Sequence, residues 1–144
     1  MPEPLIEMFN ASFPDFVNDL GLKVVRRDYR PEQFGDSLVV FSYKDVLLTF
    51  ARDRGELEAS VALKKAPDDY WDVELIAQVL GNVDSVDKFR KRTATDFAFL
   101  VNFVWTNFHR IVVLFASSQR QSTLAQLRKF QDDRLKRLLG KNGS

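Results

Sequence analysis

Residues Val46 to Leu63 constrain the fold most, because they form a two-stranded hairpin with an apolar face in one register only. Paired about Asp53-Arg54-Gly55-Glu56, they set Val46, Leu48 and Phe50 opposite Leu63, Val61 and Ala59. The other face then pairs Thr49 with Ser60, Ala51 with Glu58 and Asp45 with Lys64. A slip of one residue would put Phe50 against Glu58 and Leu48 against Ser60, which destroys the apolar face. The pattern therefore predicts an even-length loop on Arg54-Gly55, with Gly55 able to take positive φ. A second turn at Lys44-Asp45 sets Tyr43, Phe41 and Val39 opposite Val46, Leu48 and Phe50. Both turns select the same inward face, so a three-strand meander over 37–64 follows.

The flanking segments read as one further strand and several helices. Leu5, Ile6, Phe9, Phe13, Phe16, Val17 and Leu20 have helical spacing interrupted by Pro14. Two short helices are expected, roughly 4–11 and 14–20, with Pro14 opening the second and Gly21 ending it. Residues 22–29 are expected as a strand, 30–36 as a loop and 65–69 as a linker. Asp68 or Asp69 is placed to cap a helix running to Leu80. The polar stretch 82–92 reads as irregular, 94–116 as a long, nearly all-apolar helix, and 122–139 as a last helix. On that last helix Leu124, Leu127, Leu135 and Leu138 form one stripe. Residues 1–140 are expected as a single α+β domain and 141–144 as a disordered tail. The fold is therefore α+β: an antiparallel meander of three to four strands, with N-terminal helices and three C-terminal helices packed on one face. The long helix is expected across Phe41, Leu48, Phe50 and Val61.

Thirteen phenylalanines in 144 residues supply large buried area without a polar handle, which calls for a substantial core. There is no cysteine, which removes disulfides, thiolate nucleophiles and Cys-ligated zinc. The first residues carry neither a basic n-region nor a long apolar h-region, so a cytoplasmic protein is expected. Phe97 to Ala116 has the length of a membrane span, but Asn102, Asn107, His109 and Arg110 near its middle favour a buried helix instead.

Net charge is +1, yet residues 1–83 carry −6 and residues 84–144 carry +7. Charge split in this way suits electrostatic association, pairing within the chain, or both. Arg52, Asp53, Arg54 and Glu56 form either a charged recognition tip or a solvated turn. Arg128, Lys129, Arg134, Lys136 and Arg137 give the last helix a basic character. With Lys88, Arg90, Lys91 and Arg92 they could engage phosphates, although Asp132-Asp133 interrupt the run. His109, the single histidine, shares a helix face with Trp105 and is either a pocket base or a side chain at the edge of the packing. The carboxylates Asp68, Asp69, Asp72 and Glu74 lack the alternation of a calcium loop and suit a helix N-terminus. No G-x-S-x-G elbow, H-E-x-x-H or phosphate-binding loop occurs, so no catalytic residue, cofactor or metal is expected.

Helix, meander and helices in this order, with Phe34-Gly35-x-Ser37, Asp53-Arg54-Gly55-Glu56 and the pair Tyr70-Trp71, resemble small bacterial proteins of unassigned function. Toxin-neutralising immunity-type proteins are similar in scale and style. The resemblance spans about residues 5–81 and implies a single-partner binding role. The expectation is a non-enzymatic protein-binding module of immunity or adaptor type, the alternative being a nucleic-acid-associated protein using the basic C-terminal half. A homodimer is also left open by the apolar circumference of the long helix.

Overall fold

The computed structural model describes residues 3–33, 35–91 and 96–143. Its centre is a five-stranded antiparallel sheet: β1 (Lys23–Arg30), β2 (Asp36–Tyr43), β3 (Val46–Asp53), β4 (Glu56–Leu63) and β5 (Ala66–Asp72). The strands lie in sequence order, β1-β2-β3-β4-β5. Phe41 pairs with Leu48 and Val39 with Phe50, while Leu48 pairs with Val61 and Phe50 with Ala59. That is the register demanded by the alternation. Arg54 and Gly55 have φ of 52° and 82°, the two positive values of a type I′ turn.

Among the described residues two helices precede the sheet, α1 (Leu5–Ser12) and α2 (Pro14–Leu20), and four follow it. These are α3 (Val73–Val79), α4 (Val83–Lys91), α5 (Phe97–Leu114) and α6 (Arg120–Gly143). The meander gains a fifth strand where a linker is expected over 65–69. Pro67 is tolerated there because β5 is an edge strand, where a missing N–H breaks no ladder bond. Exposed Asp68 and Asp69 discourage further pairing on that edge. Trp71 pairs with Val61 and is buried. The following helix accordingly begins at Val73, capped by Asp72, whose Oδ1 accepts the N–H groups of Glu74 and Leu75 at 3.0 and 3.3 Å.

A further correction concerns the stretch expected to be irregular, which forms α4 up to Lys91; Arg92 lies outside the described residues. Asn82 Oδ1 accepts the Ser85 N–H at its start, and Val86 and Phe89, three apart, bury one face. Among the described residues four helices rather than three therefore follow the sheet. The long helix begins at Phe97 behind an Asp96 cap, and residues 94 and 95 lie outside the described residues. The last helix runs to Gly143, past Leu139 and into the segment expected to be disordered. Phe34 is also outside the described residues.

The inner sheet face is covered first by α1, not by the long helix. Phe9 stacks on Phe16 at 5.4 Å between ring centroids and meets Phe41, Phe50 and Phe97 edge-on at 4.8–5.2 Å. Phe16 continues the cluster to Trp105 of α5. The amphipathic spacing of the N-terminal helices thus delivers two aromatic rings to the meander's apolar face. α5 packs beside them through Leu100, Val101, Val104 and Ile111. It is also long and apolar enough, by length and composition alone, to cross a membrane.

Truncating Phe9 to Ala should cost about 3–5 kcal/mol in urea unfolding, because the ring is fully buried among four others. Truncating Val83, which is 75% exposed, should change stability by less than about 0.5 kcal/mol.

Candidate functional site

A groove of about 830 Å³ opens on one side of the molecule. One wall is the start of β4 with its turn, Gly55 to Ala59; the other is the second half of α6, from Arg134 to Leu138. Its floor and ends come from Asp72, Val73 and Glu74 at the head of α3, Phe89 and Arg90 of α4, and Leu100 of α5. Parts of two surfaces far apart in sequence, the hairpin tip and the basic last helix, therefore meet across one groove.

Pairing geometry opens the β4 wall. Asp53 and Glu56 close a two-residue loop, so they exchange both hydrogen bonds and the strand alternates from there. Glu56 and Glu58 direct their backbone groups at β3, and Leu57 directs its N–H and C=O away, into the groove. β5 pairs with β4 only at Ser60, Val61 and Leu63. No strand among the described residues pairs with Glu56–Ala59 from that side.

The helical wall follows from the geometry of α6. Leu124 and Leu127 are separated from Leu135 and Leu138 by eleven residues, three turns, so all four lie on one face. Leu127 is fully buried in the core, but Leu135 and Leu138 are 52% and 48% exposed. The stripe continues past the end of the core and into the groove.

Arg134 fixes this overhanging half. Its Nη1 donates to Asp72 Oδ2 at 2.6 Å and lies 3.6 Å from Glu74 Oε2. Asp72 thus caps α3 with one oxygen and holds α6 with the other. Glu74 Oε2 is buried and has no hydrogen-bond partner among the described residues, so the nearby guanidinium is its compensation. A second contact, Arg120 to Asp45 at 3.8 Å, likewise joins the basic second half to the acidic first half.

Several residues singled out from the sequence are placed differently. Arg52 does not belong to an exposed tip: it is 7% exposed. Its Nε and Nη2 donate to Gly35 O at 3.0 and 2.8 Å, and Nη2 also donates to Glu3 O at 2.7 Å. It ties β3 to the N-terminus and to the end of the β1–β2 loop. Asp53, Arg54 and Glu56 are exposed. Of the five basic residues singled out on α6, Arg134 and Arg137 line the groove, Lys129 and Lys136 are exposed outside its lining, and Arg128 borders a smaller hollow of about 140 Å³ beside Asp69, Trp71 and Leu124. His109 is exposed and lines neither hollow. The carboxylate cluster divides, with Asp72 and Glu74 turned to Arg134. Among the described residues no group of three His, Asp or Glu side chains is disposed to hold a metal ion. The sequence reading missed Leu57 and the groove itself, which exists only because β5 stops short.

Comparison with known protein families, with curated proteins and with solved structures finds no match for this chain.

Two substitutions separate the fixed arginines from the free turn. Arg52→Ala strands the carbonyls of Gly35 and Glu3 and should cost about 2–3 kcal/mol. Arg54→Asn, in a left-handed position that Asn tolerates well, should raise stability by about 0.5 kcal/mol. Chemical denaturation of both variants checks the contrast.

Proposed function

We propose that the chain is a non-enzymatic, cytoplasmic protein-binding module of adaptor or immunity type, and that the groove between β4 and α6 receives its partner. The observation carrying this reading is the overhanging face of α6. Leu135 and Leu138 point into an open groove whose rim is charged, an arrangement of apolar centre and polar border common to protein interfaces. Arg134, held by Asp72 and Glu74, keeps that wall rigid before the partner arrives, which lowers the ordering cost of binding.

The experiment compares the wild-type chain with Leu135→Asp/Leu138→Asp as bait, at low and physiological salt, with and without nuclease. Captured proteins are then purified and titrated against both baits. A protein that binds the purified wild-type chain at one-to-one stoichiometry, and binds the folded double variant about tenfold or more weakly, is the expected result. Equal binding to both baits would remove the groove from the interface. Recovery of nucleic acid alone, lost as salt rises, would instead establish the phosphate-binding role of the basic C-terminal half.

Arg134 is tested separately. Arg134→Met removes the tether between α6 and α3 and leaves two carboxylates facing one another. It should cost about 1–2 kcal/mol of stability, an intermediate value for a half-buried pair. Urea unfolding reads this loss directly.

A further inference from the structure

We infer that the segment recognised in the groove is an acidic stretch of a partner protein bound in extended conformation, added as a strand beside Glu56–Ala59. The inference rests on the groove being the partner site and specifies what occupies it. Two independent observations carry it, one about hydrogen bonds and one about charge.

The extended conformation follows from the unfilled place in the sheet. β5 occupies the far edge of β4 from Ser60 onward and then turns into α3 at Val73. Beside Leu57 no strand among the described residues pairs with the edge, and the alternation set by the Asp53–Glu56 pair turns that residue's N–H and C=O toward the groove. A helix has its own backbone groups satisfied internally and could not supply partners for them. An extended segment can, by the same ladder that β5 uses further along. Its side chains alternate, so one set would meet Leu135 and Leu138 on the opposite wall and the other would point to the rim.

The acidic character follows from which charges in the groove are already engaged. Asp72 and Glu74 are held by Arg134, and neither Glu56 nor Glu58 is free. Arg90 and Arg137 line the same groove, and neither has an ion-pair or hydrogen-bond partner among the described residues. Lys136 extends this unpaired positive charge along α6. A carboxylate-bearing segment complements the two guanidiniums, which can each bind a carboxylate through two parallel hydrogen bonds. A basic segment would meet like charge without recovering any unpaired carboxylate.

The test uses the full chain and a displayed library of random short peptides, with selected sequences resynthesised. Selected peptides should be rich in Asp and Glu, with apolar residues at alternate positions. Each should bind the Arg90→Glu/Arg137→Glu variant about tenfold or more weakly than wild type. Arg90 is exposed and Arg137 partly exposed, and circular dichroism checks that the variant stays folded. On binding, hydrogen exchange at the Leu57 amide should slow, and N-methylation of the peptide at alternate residues should abolish affinity in one frame only. Groove-binding peptides that are basic, or that bind as helices without protecting Leu57, would overturn the inference while leaving the groove as the partner site. Failure to select any peptide lost in Leu135→Asp/Leu138→Asp would overturn the inference. If the purified partner also bound that variant unimpaired, the proposed site would fall with it. Concentration-dependent self-association through the groove, seen by light scattering and lost in the same variant, would assign it to a second copy and overturn the peptide.

Discussion

Phe9 is the side chain on which the arrangement of layers depends. It comes from the first helix, yet it meets rings from α2, β2, β3 and α5 at once. Aromatic contacts of this edge-on kind add about 0.5–1.5 kcal/mol each beyond buried area, and they also fix orientation. With Phe9 seated against Phe41 and Phe50, α1 takes the middle of the inner sheet face and α5 is displaced to its side. The core then runs through Leu100, Val104 and Ile111 to Phe115 and Leu127. Phe130 still packs against the edge of this core; beyond it there is little apolar surface left to bury, and α6 continues for several turns.

The groove is a consequence of this exhaustion of the core. A sheet whose last strand is short leaves part of β4 uncovered, and a helix that outruns the core leaves its apolar stripe facing that vacancy. An unsupported helix end in this position would fray, but Arg134 links it to the cap of α3. The same ion pair accounts for part of the charge division along the chain. Arg120 and Arg134 of the basic half answer Asp45, Asp72 and Glu74 of the acidic half. Arg90 and Arg137 have no ion-pair partner among the described residues, and their position in the groove beside Leu57 gives this positive charge a direction.

Much of the scaffold was legible in the sequence because alternation and turn chemistry agree. The registers of both central hairpins follow from where Val39, Phe41, Leu48, Phe50 and Val61 must point. β5 was hidden because Pro67, Asp68 and Asp69 are poor strand residues, and only an edge position makes them acceptable. α4 was hidden because Val86 and Phe89 are its only buried residues, too few to raise a periodic signal. Burial of Arg52 could not be read from its place beside a charged turn, since its partners are the carbonyls of Glu3 and Gly35, both remote in sequence. For the candidate site, the sequence offered the basic helix and the hairpin tip as separate surfaces. Their meeting depends on where β5 ends and how far α6 extends, and both are tertiary facts.

The most direct test of this account is peptide-resolved hydrogen–deuterium exchange of the full chain with and without its purified protein partner. If the groove is the interface, protection is confined to the start of β4, around 55–59, and to α6 around 134–138. Protection centred instead on β1 or on the exposed face of α5 around His109, with those two segments unchanged, would contradict it.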